Sequence, residues 1–179
     1  LGKLKEAEIS TSKAIELKPT YAMAHNNLGT ILNDLGNIKE AEISFRKAIE
    51  LKPDLEIAHN NLGGILKDLG NLSEAEKYTR KAVELKPDYA MAHNNLGTIL
   101  NELGKIKEAE ISFRKAIKID SSFADAYFSL AYLELLNEDY EAGLEHYEFR
   151  FKKKKPALTH GNTKLKRRDT QKFKKGEKL

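Results

Sequence analysis

Residues 22 to 55 read AMAHNNLGTILNDLGNIKEAEISFRKAIELKPDL and return at 56 to 89 as EIAHNNLGGILKDLGNLSEAEKYTRKAVELKPDY. A third copy, AMAHNNLGTILNELGKIKEAEISFRKAIKIDSSF, fills 90 to 123, so the step is 34 residues each time. Self-similarity at one fixed period of roughly 20–50 residues marks a stacked array, in which a unit buries its apolar face only against its neighbours. A chain of this kind is not expected to fold around one central core.

Inside a unit the local signals alternate between helix and break. Leu28, Leu32 and Leu35 recur at helical spacing, as do Leu62, Leu66 and Leu69. Gly36 interrupts the first helix, and Ile38, Ala41, Phe45, Ala48 and Ile49 give the second its apolar stripe. Gly29, Ala41 and Ala48 are small enough to let the two helices approach closely. Asp54 and Asp88, after Pro53 and Pro87, are expected to cap the first helices. Asn37 with Glu40, and Asn71 with Glu74, have the form of a capping box for the second. Glu42 precedes Arg46 by four residues, a favourable pair, and the outer face carrying both with Lys47 reads as solvated surface.

The ends differ from the middle. Leu1-Gly2 matches Leu35-Gly36, so residues 1–21 read as the second helix of a unit whose first helix is missing, the sign of a piece of a longer array. The half-covered apolar face of that helix can drive end-to-end self-association. Units follow at 22–55, 56–89 and 90–123, then a divergent unit at 124–157, where Ser122 with Asp125 is expected to keep a cap. Residues 158–179 form a basic tail expected to be mostly irregular, with too little apolar surface to offset the cost of ordering.

Charge divides the same way. Residues 151–179 carry 12 Lys and Arg against 2 Asp and Glu, whereas the preceding 150 carry 19 against 25. The net +4 therefore describes the tail. Lys152 to Lys155 and Lys164 to Lys178 can contact phosphates, but nothing in the chain resembles a nucleic-acid-binding fold, and a solvated linker is the favoured reading. The chain has no cysteine, no apolar run long enough for a membrane span and no leader pattern, so a soluble, cytoplasmic protein is expected. Glycine-rich phosphate loops, nucleophile–base pairs and isolated carboxylate pairs are absent; no catalytic site, cofactor or metal is expected. His25, His59 and His93 recur once per unit, about a helix diameter apart, too far to share an ion, and read as packing residues.

The elements LG, NNLG, EA and KAIELKP at this spacing resemble the tetratricopeptide repeat family, over residues 1 to about 152. The resemblance implies an all-α fold, antiparallel helix pairs stacked in a right-handed superhelix whose first helices line a concave groove. The Asn before Leu-Gly is similar to the arrays of O-linked N-acetylglucosamine transferases, where an asparagine ladder holds bound peptides by their backbone. The matching positions are Asn27, Asn61 and Asn95, and Ser129 breaks the ladder. YEAGLEHYEFRFKKKK resembles the junction of bacterial tetratricopeptide-glycosyltransferase proteins, which implies a substrate-recruiting arm whose catalytic domain lies outside this chain.

The expected groove residues are Asn26, Asn27, Thr30 and Asn33 in one unit, Asn60, Asn61 and Lys67 in the next, and Asn94, Asn95, Thr98 and Asn101 in the third. These fall on a single stripe of the first helix, and an amide carries donor and acceptor together, as pairing with any extended backbone requires. The alternative is that these asparagines bond one another between stacked helices. A clamp for terminal carboxylates would require lysine where Asn26, Asn60 and Asn94 stand. The expected function is a non-enzymatic scaffold binding a protein or peptide.

Overall fold

A computed structural model describes residues 2–149, and the basic tail lies outside the described residues. The described elements are α1 (Gly2–Leu17), α2 (Ala22–Asp34), α3 (Ile38–Leu51), α4 (Glu56–Asp68), α5 (Leu72–Leu85), α6 (Ala90–Glu102), α7 (Ile106–Ile119), α8 (Ala124–Leu136) and α9 (Tyr140–Tyr147), with no strand among them. Each even-numbered helix pairs with the one after it: α2 with α3, α4 with α5, α6 with α7, α8 with α9. Each pair then stacks on the next, with α2, α4, α6 and α8 touching in one inner row. The all-α stacked architecture expected from the 34-residue period is what the chain forms.

Close helix approach follows from residue size. A Cβ on Gly29 would lie 2.7 Å from the Phe45 ring, and one on Gly97 would lie 2.6 Å from Phe113. Ala41, Ala48, Ala109 and Ala116 are fully buried. Phe45 and Phe113 each fill the space a glycine leaves, a burial worth about 1.5–3 kcal/mol per ring. The middle unit swaps the order Ser-Phe for Tyr78-Thr79; Thr79 then packs against Gly63 with its hydroxyl unpartnered.

The expected side-chain caps do not form. The N-cap positions of α2, α4 and α6 fall on Tyr21, Leu55 and Tyr89, without a side-chain hydrogen bond. Asp54 and Asp88 sit in the preceding turn, and the cap position of α4 goes to Leu55, which is buried. The capping box at Asn37 fails for a different reason. Its backbone N–H, which Glu40 would have to accept, already donates to Leu32 O at 2.8 Å. That bond, with Gly36 N to Asn33 O at 2.9 Å, closes a Schellman motif around a Gly36 φ of 83°. Gly70 and Gly104 repeat it. In the fourth unit Ser122 donates to Asp120 rather than capping α8, and Asp139 accepts from Ala142 N to cap α9.

The outer face is solvated, as expected, and is also cross-linked between units. Arg46 binds Glu42 of its own helix at 2.8 Å and crosses to Glu74 of the next unit at 3.0 Å and to the Tyr78 hydroxyl at 3.1 Å. Arg80 repeats the pattern with Glu76 and Glu108. Hydrogen bonds from Lys105, and then from Arg80, hold the Glu76 carboxylate below the usual carboxylate range. The next acceptor in the series would stand at position 142, which is alanine, and Arg114 turns instead to Glu134.

Candidate functional site

The inner row of helices presents the asparagines in pairs, and the two members of each pair do different work. Asn61 Nδ2 donates to Asn26 Oδ1 at 3.1 Å, and Asn95 Nδ2 donates to Asn60 Oδ1 at 3.0 Å. The first asparagine of a unit is thus a buried acceptor, Asn26 and Asn60 being 2% exposed, and the second reaches back to it from the following unit. Because Oδ1 can only accept, the bond fixes which way Asn61 and Asn95 are turned. Each keeps its own Oδ1 and one further N–H outside this bond.

Around these amides lies a cleft of about 180 Å³ shared by α2, α4 and α6. Thr30, Asn33, Asn60, Asn61 and Asn95 line it, with Gly64, Asp68 and Met91. Thr98 and Asn101 line a second cleft of about 160 Å³ with Phe113, Phe128, Ser129 and Tyr132, between α6 and α8. Thr30 and Thr98 turn their hydroxyls onto the carbonyls of Asn26 and Asn94, four residues back. Lys67 leans on Asp68 at 2.6 Å and reaches Glu102 at 4.0 Å. Asn27 is exposed and lines neither cleft; Asn94 is half-buried with its Oδ1 unpartnered. Both expectations for the asparagines thereby acquire a geometry: an interface bond for Nδ2, and remaining polar atoms beside a cleft.

Sequence reasoning puts Gly64 on the groove stripe without giving it a role, and it passes over the orphan at Asn94. The signal for the first was a glycine where its neighbours carry Thr30 and Thr98. For the second it was Ser129 in the place of an asparagine.

The histidines have a common task. His25, His59 and His93 bind through Nε2 to the carbonyls of Pro19, Pro53 and Pro87, at 2.9, 2.8 and 2.9 Å. A carbonyl accepts, so Nε2 carries the hydrogen, and each ring ties the inter-unit turn to the helix that follows. No group of three metal-ligating side chains occurs among the described residues, and no described helix is long and apolar enough to cross a membrane.

The fold is shared with solved structures. The crystal structure of MamA superposes with a TM-score of 0.72 at 22% identity, covering 83% of this chain and 86% of that one. PilF of Pseudomonas aeruginosa gives 0.76 at 24%, covering 83% and 68%. YrrB, described as a TPR protein with an unusual peptide-binding site, gives 0.66 at 27%, covering 83% and 76%. No curated protein matches this chain. Models of the tetratricopeptide repeat match residues 22–55 and 54–122, together more than half of the sequence. With a 34-residue period, stacked antiparallel pairs and these matches, the chain belongs to the tetratricopeptide repeat family.

Proposed function

We propose that this chain is a non-catalytic scaffold whose inner helix row binds an extended peptide by its main chain. The observation that carries the reading is the orientation of Asn61 and Asn95. The bond to the preceding unit points each amide one way and leaves an Oδ1 acceptor and an N–H donor beside the cleft. A peptide group needs that pair of partners. Successive inner helices stand roughly 8–10 Å apart, about three residues of extended chain at ~3.3 Å each, so one peptide can meet successive units in register. The peptide-binding site named for YrrB, at 27% identity, supports the same reading. A cytoplasmic setting goes with it.

Removing the asparagines is a poor test. Asn61→Ala strands the buried Asn26 Oδ1, at a cost of about 1–3 kcal/mol to the fold itself. The ligand is the better place to intervene. Peptides about twelve residues long, selected on an array for binding to the intact chain, are resynthesised with N-methyl groups at successive positions. Affinity is expected to fall by about tenfold where a main-chain N–H is removed, and by less where a side chain is exchanged. N-methylation without effect, or an array without binders, overturns the reading.

A second reading is favoured by the fourth unit. Tyr127 stacks on Phe149 at 3.6 Å, and α9 carries Tyr140 and Tyr147, the aromatic pattern that resembles glycosyltransferase-linked arrays. On that reading the groove recruits the protein substrate of a sugar-transfer domain. A coding sequence after Leu179 without a sugar-nucleotide-binding domain removes it.

A further inference from the structure

Four helical glycines lie in the inner row, and three of them are accounted for by the chain itself. A Cβ on Gly29 or Gly97 would collide with the Phe45 or Phe113 ring, and one on Gly63 would collide with the Thr79 hydroxyl. Gly64 is the exception. A Cβ built there meets nothing within 4 Å. It stands in the interior of α4, where glycine is among the least favourable residues for a helix, and its counterparts one unit away on either side are Thr30 and Thr98. No internal contact calls for its smallness.

The space it leaves is part of the cleft that also holds Asn61 and Asn95. Gly64 lies one turn along from Asn61 on α4, so it shares the face of that amide. Threonine here, as at Thr30 and Thr98, would place three heavy atoms in the cleft. Glycine is a default residue where a backbone must approach a ligand closely, and in an unstrained, uncrowded helical position that use is what remains.

We infer that Gly64 is the floor of the groove, where the main chain of a bound extended peptide approaches α4 most closely between Asn61 and Asn95. This rests on the peptide reading above and adds to it a location and a specificity-determining residue. The bound segment presents its backbone, not a side chain, at this point.

The test uses the intact chain, an array-selected peptide and two variants. Gly64→Thr installs the residue already present in both flanking units, so the fold is retained, and circular dichroism with thermal melting checks that it is. Ile43→Thr places the same residue on the outer face of α3, where Ile43 is 68% exposed and lines neither cleft. Gly64→Thr is expected to weaken peptide binding about tenfold or more with an unchanged helical spectrum, while Ile43→Thr leaves binding within about twofold. Affinity of Gly64→Thr within about twofold of the parent overturns Gly64 as the contact floor and leaves peptide binding standing. An array on which the parent chain binds no peptide overturns both.

Discussion

Ser129 turns its hydroxyl onto the Asp125 carbonyl at 2.9 Å, and Asn94 Oδ1, one unit back, is left buried with no hydrogen bond. Ser129 stands where Asn61 and Asn95 stand in their own units, and those two supply the donor that Asn26 and Asn60 accept. The series of inter-unit bonds along the inner row therefore stops at the junction of α6 and α8. The end of the groove lined by Phe128 and Tyr132 begins at the same junction.

Restoring the donor should restore the bond. Ser129→Asn is expected to stabilise the chain by about 1 kcal/mol, and by more if the stranded acceptor carries its full desolvation cost. The urea midpoint and amide exchange in α6 and α8 measure it. An unchanged midpoint would mean that Asn94 Oδ1 finds another donor.

The array was legible because repetition multiplies every signal: Leu28, Leu62 and Leu96 mark one position three times over. What repetition could not disclose was which of two adjacent asparagines is the buried acceptor and which reaches back as the donor. Asn26 and Asn27 are one residue apart on a helix, about 100° around its axis, and only the stacking of α2 against α4 buries the first while leaving the second exposed. The caps were misread for a related reason. Asn37 looks like a capping residue in any linear reading, but its N–H is consumed by the turn that ends α2, which a sequence pattern does not record. Arg46 likewise shows its partner at Glu42, four residues away, and hides Glu74, which only stacking brings within 3.0 Å. Gly64 was visible as a letter and silent as a cause until the other glycines had been explained by contact.

Glu138 is the one non-glycine among the described residues with a positive φ, 63°, and it stands where Gly36, Gly70 and Gly104 stand at 83°, 79° and 74°. The turn is made all the same, with Asp139 N donating to Glu134 O at 2.9 Å. A side chain in the left-handed region costs about 1–2 kcal/mol, and glycine avoids it. Glu138→Gly is expected to raise the melting temperature by about 2–4 °C and to slow exchange at the start of α9. A lower melting temperature would show that the Glu138 side chain contributes more than its backbone costs.

The outer ion ladder makes the array acid-sensitive. Glu76 is held below its ordinary range by Lys105 and Arg80, so its contribution is complete above the unfolded-state value and is lost as pH falls through the folded one. Glu76→Gln should cost about 1 kcal/mol near neutral pH, an amount kept small by the partial exposure of Lys105 and Arg80. The difference should close as pH falls through the lowered range in which the folded parent carboxylate takes up its proton. Stability curves for the two proteins that stay parallel below the ordinary carboxylate range would remove Glu76 from the account.

The fourth unit carries a buried charge where the others carry leucine. Glu134 is 5% exposed and corresponds to Leu32, Leu66 and Leu100. It is held by Arg114 at 3.1 Å and His146 Nδ1 at 2.6 Å. Removing two charges from water commonly costs more than their attraction returns, and losing one partner alone is worse than losing the pair. Arg114→Met keeps the stem and removes the charge, leaving Glu134 buried with His146 alone; a loss of about 3 kcal/mol is expected. Glu134→Leu restores the residue of the other units and leaves Arg114, half-exposed, to be solvated by water, so it should be less damaging than Arg114→Met. Chemical denaturation of both variants at neutral pH decides the matter. If Glu134→Leu proves the more damaging change, the cluster of Glu134, Arg114 and His146 stabilises the last unit outright, and the departure from leucine is itself what holds α9 on α8.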